Sequence, residues 1–541
     1  MTHFLEFNSS SNATATSFGG RTSMYPTTSG PISRSPMTRN LFIFLSYWFL
    51  GVRGAKFRCI ERERRALLQF KEDLIDDYGV LSSWGGKEEK RDCCKWIGVG
   101  CDNITGHVTL LDLHSSPVYE DRFTPLIGPI SYICNIAGEV LSFLDLSNNL
   151  LSGQLPNCFM DWKGLVVLNL ANNNLSGKIP SSVGSLFLLQ TLSLHNNKLY
   201  GELPVSLKNC SMLKFLDLGE NRLSGEIPAW IGESLSSLMF LSLQSNEFIG
   251  SIPPHICQLR NIRILDLSLN NITGAIPECL NNLTAMVLRG EAETVIDNLY
   301  LTKRRGAVFS GGYYINKAWV GWKGRDYEFE RNLGLLRVID FSGNNLSGEI
   351  PEEITGLLEL VALNLSGNNL TGVIPQKIDH LKLLESLDLS RNHFYGAIPL
   401  TMAALNFLSC LNVSCNNLSG KIPSSTQLQS FDASAFTGNP ALCGLPVTQK
   451  CLGDVDVPQS PAMNDVIQDN QKTVHEFSMW FYIGMENGFF VFFIGFSGAL
   501  LLKHSWRHGY FQFLDESLEF LCLILRAHRA KQKRLHPNSC S

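Results

Sequence analysis

Charge is what this sequence has least of. Only 17% of its 541 residues are Asp, Glu, Lys or Arg, and 45 basic against 49 acidic side chains leave a net charge of −4. A general nucleic-acid binder would carry a basic stripe, and this balance argues against one. The sequence also lacks a glycine-rich phosphate loop, a Ser-His-Asp set and a carboxylate pair placed for a cleft. No enzymatic chemistry, cofactor or metal is therefore expected. Long hydrophobic runs are scarce too. Leu41 to Leu50 is too short to span a bilayer, which leaves the 23 residues from Trp480 to Leu502 as the one spanning candidate.

What fills the chain instead is repetition. A pattern of about 24 residues, LxxLxLxxNxLxGxIPxx, runs from Leu141 to Ala285 and resumes at Leu336. Its ninth position is asparagine in every copy: Asn149, Asn173, Asn197, Asn221, Asn246, Asn270, Asn344, Asn368, Asn392 and Asn416. These read as leucine-rich repeats, each a short strand, a turn and an irregular or 3₁₀ return that stacking alone can give a core. The expected fold is an α/β solenoid, a right-handed leucine-rich-repeat horseshoe of the LxGxIP type, with disulfide caps and one C-terminal transmembrane helix. In the copy from Leu165, the residues Leu165, Leu168, Leu170, Leu175 and Ile179 should point inward. Val166, Val167, Asn169, Ala171 and Asn172 should then lie on the open inner curve. The buried asparagines should bond backbone groups at each turn and so form a ladder.

The chain divides accordingly. Residues 1–36 are rich in Ser and Thr and read as an upstream extension, and 37–57 as a signal peptide. Residues 58–107 form a cysteine-rich N-terminal cap, in which Ala66, Leu67, Phe70, Leu74 and Ile75 recur at helical spacing. Residues 108–285 hold a divergent first repeat and six regular ones, 286–335 an island that interrupts the array, and 336–431 four more repeats. A C-terminal cap (432–452) closed by Cys443 and Cys451, an acidic segment (453–479), the span (480–502) and a basic tail (503–541) follow. Seven Lys or Arg against three acids in that tail hold it in the cytosol and place the repeats outside.

Fifteen cysteines and the ten Asn-x-Ser/Thr sequons between Asn103 and Asn417 suit a secretory, oxidising route. The sequons begin at Asn103, Asn174, Asn209, Asn271, Asn282, Asn345, Asn364, Asn369, Asn412 and Asn417. Cys134, Cys158, Cys210, Cys257 and Cys279 are scattered through the returns and read as buried thiols, with Cys134–Cys158 a possible extra bridge. Cys410 and Cys415 face the open curve, where a free thiol would be exposed.

Binding residues are sought among outward positions of the early strands: Phe143, His195, Lys214, Phe215, Glu220, Met239 and Phe240 form a mixed aromatic and charged strip. The island adds YYINKAWVGWKGRDYEFE, with Tyr313, Tyr314, Trp319 and Trp322 as contact aromatics and Lys323 and Arg325 as charge partners. Such a composition suits a recognition surface better than a spacer. Asn364 and Asn412 lie at outward position five, so glycans there would obstruct contact on the later strands. In the span, Gly484, Gly488, Gly495 and Gly498 fall on one stripe at about 100° per residue. Small residues on one face let another helix approach in lipid, so this stripe is the expected docking face.

The cap ending in DCCKWIGVGC, the island ending WKGRDYEFE, the four repeats after it and WFYIGMENGFFVFFIGFSGALLLKHSWRHGYFQFLD resemble the plant leucine-rich-repeat receptor-like proteins. The likeness falls in the branch of the receptor for fungal ethylene-inducing xylanase and the apple-scab resistance proteins, and covers residues 37 to about 520. It implies the pairs Cys59–Cys93 and Cys94–Cys101, which the residues themselves leave open among three connectivities. It also implies a kinase-less, single-pass type I receptor of the plasma membrane, its repeats extracellular, that binds a microbial or endogenous peptide or protein and signals through adaptor and co-receptor kinases. With 39 residues after Leu502, no kinase is expected. Two features depart from the family, a shortened array and Glu486-Asn487 within the span. They suit a shortened, non-signalling paralogue or decoy. A soluble inhibitor of microbial wall-degrading enzymes would share the caps and repeats but would have no use for the span.

Overall fold

The computed structural model describes residues 59–451, apart from 103, 116–124, 137–139, 289–295 and 303–309. The expected extension, signal peptide, acidic segment, span with its glycine stripe and basic tail lie outside the described residues, as does Asn103. Among the described residues no helix is long and apolar enough to cross a membrane.

The N-terminal cap is built on the helix Glu61–Glu72, whose Ala66, Leu67 and Phe70 are buried. Leu74 is buried just beyond it. The helical spacing overreaches at Ile75, which lies past the helix end, pairs with Ile127 as an isolated bridge and is exposed. The Trp84 and Trp96 rings stack 5.2 Å apart, and their indole N–H groups donate to the carbonyls of Ile97 and Lys90. Disulfides join Cys59 to Cys93 and Cys94 to Cys101. The buried Glu63 fastens helix to array, accepting a 2.7 Å bond from the Val108 amide and lying 2.7 Å from His107 Nδ1.

The repeats stack into a twelve-stranded sheet that opens with the antiparallel pair Val99–Cys101 and Val108–Asp112 and is parallel thereafter. Its register is one residue per rung. Ile264, Leu265 and Asp266 pair with Val338, Ile339 and Asp340, so the sheet continues unbroken across the island insertion. The fourth and sixth positions of each strand fill the solenoid core with leucines that are almost wholly buried. Short 3₁₀ turns such as Ser181–Ser185 and Glu352–Gly356 make the returns, and a second row of short strands follows each ninth position.

The asparagine ladder is present rung by rung. Asn270 Nδ2 donates to the carbonyls of Leu243, Leu267 and Ser268, while its Oδ1 accepts from the Phe248 amide. One side chain thus satisfies the Phe248 amide and adds a second donor to three carbonyls, which also accept from Asn246, Asn344 and the Ser245 amide. The ladder runs one rung further than the repeat pattern shows, because Asn439 in the C-terminal cap bonds the carbonyls of Val413 and Phe436 and accepts from Leu418. Just before each ladder asparagine the backbone turns left-handed, at Asn172 (φ 54°), Glu220 (φ 52°) and Arg391 (φ 55°) among others. Asparagine and glycine, which tolerate that region, recur there.

The cysteines correct one expectation. Cys134–Cys158 and Cys257–Cys279 are disulfides, each joining neighbouring returns, whereas only Cys210 of that group is a buried free thiol. Cys443–Cys451 closes the C-terminal cap. Cys410 is a free, half-buried thiol, and Cys415 is disulfide-bonded, so the expected pair of exposed thiols is not formed.

Candidate functional site

The outward third position of successive strands carries Phe143, Val167, Thr191, Phe215, Phe240, Ile264, Val338 and Ala362, all but Thr191 apolar. A row of this kind, left facing water, would be an apolar stripe several strands wide. The island covers it. Two hairpins leave the array, Asp297–Thr302 with Ser310–Ile315 and Ala318–Trp322 with Arg325–Phe329, and their inner side chains pack on that row. Ile296, Ala318, Val320, Phe329 and Leu333 join Phe215, Met239, Phe240, Ile264, Val338 and Ala362 in one apolar cluster. A smaller cluster sets Phe143, Val166 and Val167 against Tyr314. The second hairpin turns through Lys323 and Gly324, both with positive φ (52° and 71°), the geometry a two-residue hairpin loop needs.

Polar bonds fix the register of this cover. The Tyr314 hydroxyl accepts from Asn169 Nδ2 at 2.9 Å and donates to Asp145 at 3.3 Å. Thr191 Oγ1 donates to Asn316 Oδ1 at 2.8 Å and accepts from Asn298 Nδ2. Lys214 reaches the Asp297 carbonyl at 3.4 Å, and at the far end Lys323 pairs with Glu385 at 2.7 Å while lying over the Trp322 ring.

This geometry revises the expected binding strip. Phe143, Phe215, Met239 and Phe240 are 4%, 1%, 7% and 1% exposed, so they anchor the island and are closed to a ligand. The side chains do leave the strands on the predicted face; what covers that face is the chain's own insertion. Val166, Val167 and Ala171 are buried as well. Lys214 is half-buried, and of the predicted strip Glu220 alone is exposed. His195 lies 3.3 Å from Asp217 and 4.0 Å from Glu220. Burial opposes its charge, but the Asp217, Glu220 and Asp266 carboxylates outweigh that and raise it to about 9.

The island aromatics divide in two. Tyr314 and Trp322 turn inward, Trp322 against the apolar cluster. Tyr313 and Trp319 turn outward and are 70% and 51% exposed, whereas Tyr327 and Arg325 lie on the face of Val320 and Trp322, at its exposed margin. Tyr327, which was not singled out from the sequence, packs edge-on to Trp322 and Phe329 and is 40% exposed. Of the sequons, Asn174, Asn209, Asn271, Asn282, Asn345, Asn369 and Asn417 are exposed. Asn364 and Asn412 are half-buried, their amide nitrogens donated to Asp340 and Asp388.

The fifth outward position forms a column under the island. Asp145, Asp266, Asp340 and Asp388 each accept bonds from the backbone N–H two residues on, and burial raises all four carboxyls above the usual range. Asp112, His114 and Asp145 offer three ligand atoms within 4.8 Å of one another, with His114 Nδ1 2.5 Å from Asp112. That contact is explained as an ion pair.

The chain matches the leucine rich repeat N-terminal domain over residues 60–102 and leucine rich repeats over 140–162, 164–186, 188–210, 212–234, 237–259, 261–283, 335–394 and 407–428. It is a leucine-rich-repeat protein. Within that class its resemblance to the plant receptor-like proteins holds: it is 48% identical over 440 residues to Receptor-like protein EIX2 of Solanum lycopersicum, covering 81% of this chain and 42% of that protein. Receptor-like protein 49 of Arabidopsis thaliana is 67% identical over 146 residues, 27% of this chain and 17% of that protein. A polygalacturonase inhibitor of Vitis vinifera is 32% identical over 108 residues, 20% of this chain and 29% of that protein. The chain thus spans less than half the length of these relatives. Among solved structures it superposes on a plant ice-binding protein (TM-score 0.49, 26% identity, 74% of this chain and 100% of that one). It also superposes on PEPR1 bound to AtPEP1 (TM-score 0.47, 27% identity, 71% of this chain and 51% of that one).

Proposed function

We propose that this chain is a kinase-less receptor that recognises a microbial or endogenous peptide or protein through the outward face of its island and the uncovered rim of the array. The observation that carries this is the split of the island aromatics. A mere spacer has no reason to hold Tyr313 and Trp319 in water on a frame fixed by Tyr314 and Trp322, while rigid exposed aromatics are what binding hot spots are made of. Lys323 is committed to Glu385 and Glu220 lies 4.0 Å from His195, so Arg325 is the charge partner this reading assigns to a ligand.

Signalling would pass through adaptor and co-receptor kinases, with the glycine stripe of residues 484, 488, 495 and 498 docking a partner's span. Leucine at all four glycines should abolish kinase recovery from plant membranes; undiminished recovery would discard the stripe. For ligand recognition, the test is a pull-down of candidate microbial extracts with the parent and with a Tyr313→Ala, Trp319→Ala double variant. A bound component should lose affinity by about 2 kcal/mol or more in the variant. Affinity within about 1 kcal/mol of the parent would return the island to a structural role. The polygalacturonase-inhibitor match favours one second reading, direct inhibition of a wall-degrading enzyme, which an assay of purified polygalacturonase with the parent protein would reveal.

A further inference from the structure

The fifth-position column uses Asp and Asn for the same structural job. Asp340 Oδ1 accepts from the Ser342 amide at 2.9 Å and its hydroxyl at 2.6 Å, and Asn364 Oδ1 does the same with Ser366 at 3.2 and 2.8 Å. Most acids in the column are separated from one another by a neutral neighbour. Asp145 is followed by Asn169, Asp217 lies between Ser193 and Ser242, and Asp388 lies between Asn364 and Asn412. Asp266 and Asp340 are direct register partners on adjacent strands, about 4.8 Å apart in the ladder direction, and both are buried. Asp112 and Asp145 are direct register partners too, but Asp112 is half-buried and paired with His114, whereas Asp266 and Asp340 have no such counter-charge. They are also the two residues between which the island is inserted.

The island strand Ala318–Trp322 closes over this pair. A Cβ at Gly321 would stand 3.4 Å from Asp340 Oδ2 and 3.7 Å from Asp326 Oδ1. The surrounding charges do not neutralise the pair. On the sheet the nearest acids are Asp217 and Asp388; His195, just after the strand next to Asp217's, is engaged by Asp217 and Glu220 and only more weakly by Asp266. On the flank, the Arg263 and Arg337 guanidiniums donate to the Gly334 carbonyl. On the island, Asp326 adds a further acid and Lys323 is held by Glu385. Among the described residues neither Asp266 nor Asp340 is ion-paired.

We propose that the Asp266–Asp340 pair is a proton-gated latch: the island lies closed on the sheet while the pair holds a proton, and lifts as the pair becomes fully ionised. Two carboxylates in a water-excluded seam cannot both be charged without a large desolvation and repulsion cost, whereas lifting the island hydrates them. Burial first, and the neighbouring acid second, hold Asp266 above the usual carboxylate range, and burial does the same for Asp340. The sign follows from linkage. The closed state binds more protons than the open one, so closure is strongest at or below the ordinary carboxyl range and weakens as pH rises through the raised values.

The experiment measures hydrogen-exchange protection factors of the amides in 318–329 on the full chain from pH 5 to pH 9, against amides of the strand Leu387–Asp388 as an array reference. The parent should lose at least tenfold in island protection across that range with the reference unchanged. In an Asp266→Asn, Asp340→Asn double variant the change should fall below threefold, since asparagine already serves this position in the Asn364 and Asn412 rungs. Asp217→Asn should keep the parental slope. If the double variant loses reference protection, the single Asp266→Asn variant is judged by the same threefold limit. A parent with no slope, or neutral variants with the parental slope, would overturn the latch.

Discussion

Replacing Phe240 by alanine separates a cover from a core. The ring is 1% exposed, stacks on Phe215 at 4.3 Å with the planes 10° apart, and belongs to the cluster shared between sheet and island. Truncating a buried phenylalanine costs about 3–5 kcal/mol, of which the stacked pair supplies about 0.5–1.5. Because Phe240 leaves its strand away from the leucine core, that cost falls on the closed island and scarcely on the repeats. A loss of about 3 kcal/mol lowers the closing equilibrium constant roughly 150-fold. Hydrogen exchange at fixed pH should show amides of Trp319–Trp322 losing protection by that order, while amides of Leu241 and Leu265 change by less than threefold. Equal losses in island and repeats would refute the separation, because they would make the island part of one cooperative core.

Asn270→Ala should destabilise the array by about 1–3 kcal/mol, since it strands the Phe248 amide in the core and takes one of two bonds from each of three carbonyls, and the unfolding midpoint in urea reads this directly; a loss under about 1 kcal/mol would contradict the ladder's role. Replacing Cys257 and Cys279 together by serine should cost about 2–4 kcal/mol, measured as the same midpoint under non-reducing conditions, and should leave the island's exchange unchanged. Glycopeptide mapping should find glycans at exposed sites such as Asn174, Asn345, Asn369 and Asn417 and none at Asn364, whose amide nitrogen is donated to Asp340 at 2.9 Å; occupancy at Asn364 would require that rung to open.

The repeats were legible because the asparagine at position nine has one chemical job that no other residue does as well, and it recurs at a fixed interval. The cap helix was legible from its apolar spacing, which failed at Ile75 because the periodicity does not register where the backbone leaves the helix. The cover was not legible from the same rules. Phe143, Phe215 and Phe240 stand at outward positions, and period-two reasoning places them correctly but says nothing of what lies opposite. A signal was there: an open sheet face seldom carries apolar residues at one position over so many strands, and the insertion carries Val320 and Phe329 to meet them. The disulfide Cys257–Cys279 was missed for a similar reason, and Cys134–Cys158 was read only as a possible bridge. Their separations of 22 and 24 residues are close to one repeat, so stacking brings them side by side, which a search for metal spacing or local pairs overlooks.

Hydroxyl-radical footprinting of the intact protein tests the account most directly, because it reads which side of the island faces water. Met160 is 51% exposed and serves as an internal standard beside Met239, which is 7% exposed beneath the island. The account predicts rapid oxidation of Met160, Tyr313 and Trp319, with Met239 at least tenfold slower than Met160. Oxidation of Met239 at the rate of Met160, with Trp319 protected, would contradict it and put the ligand surface back on the sheet face.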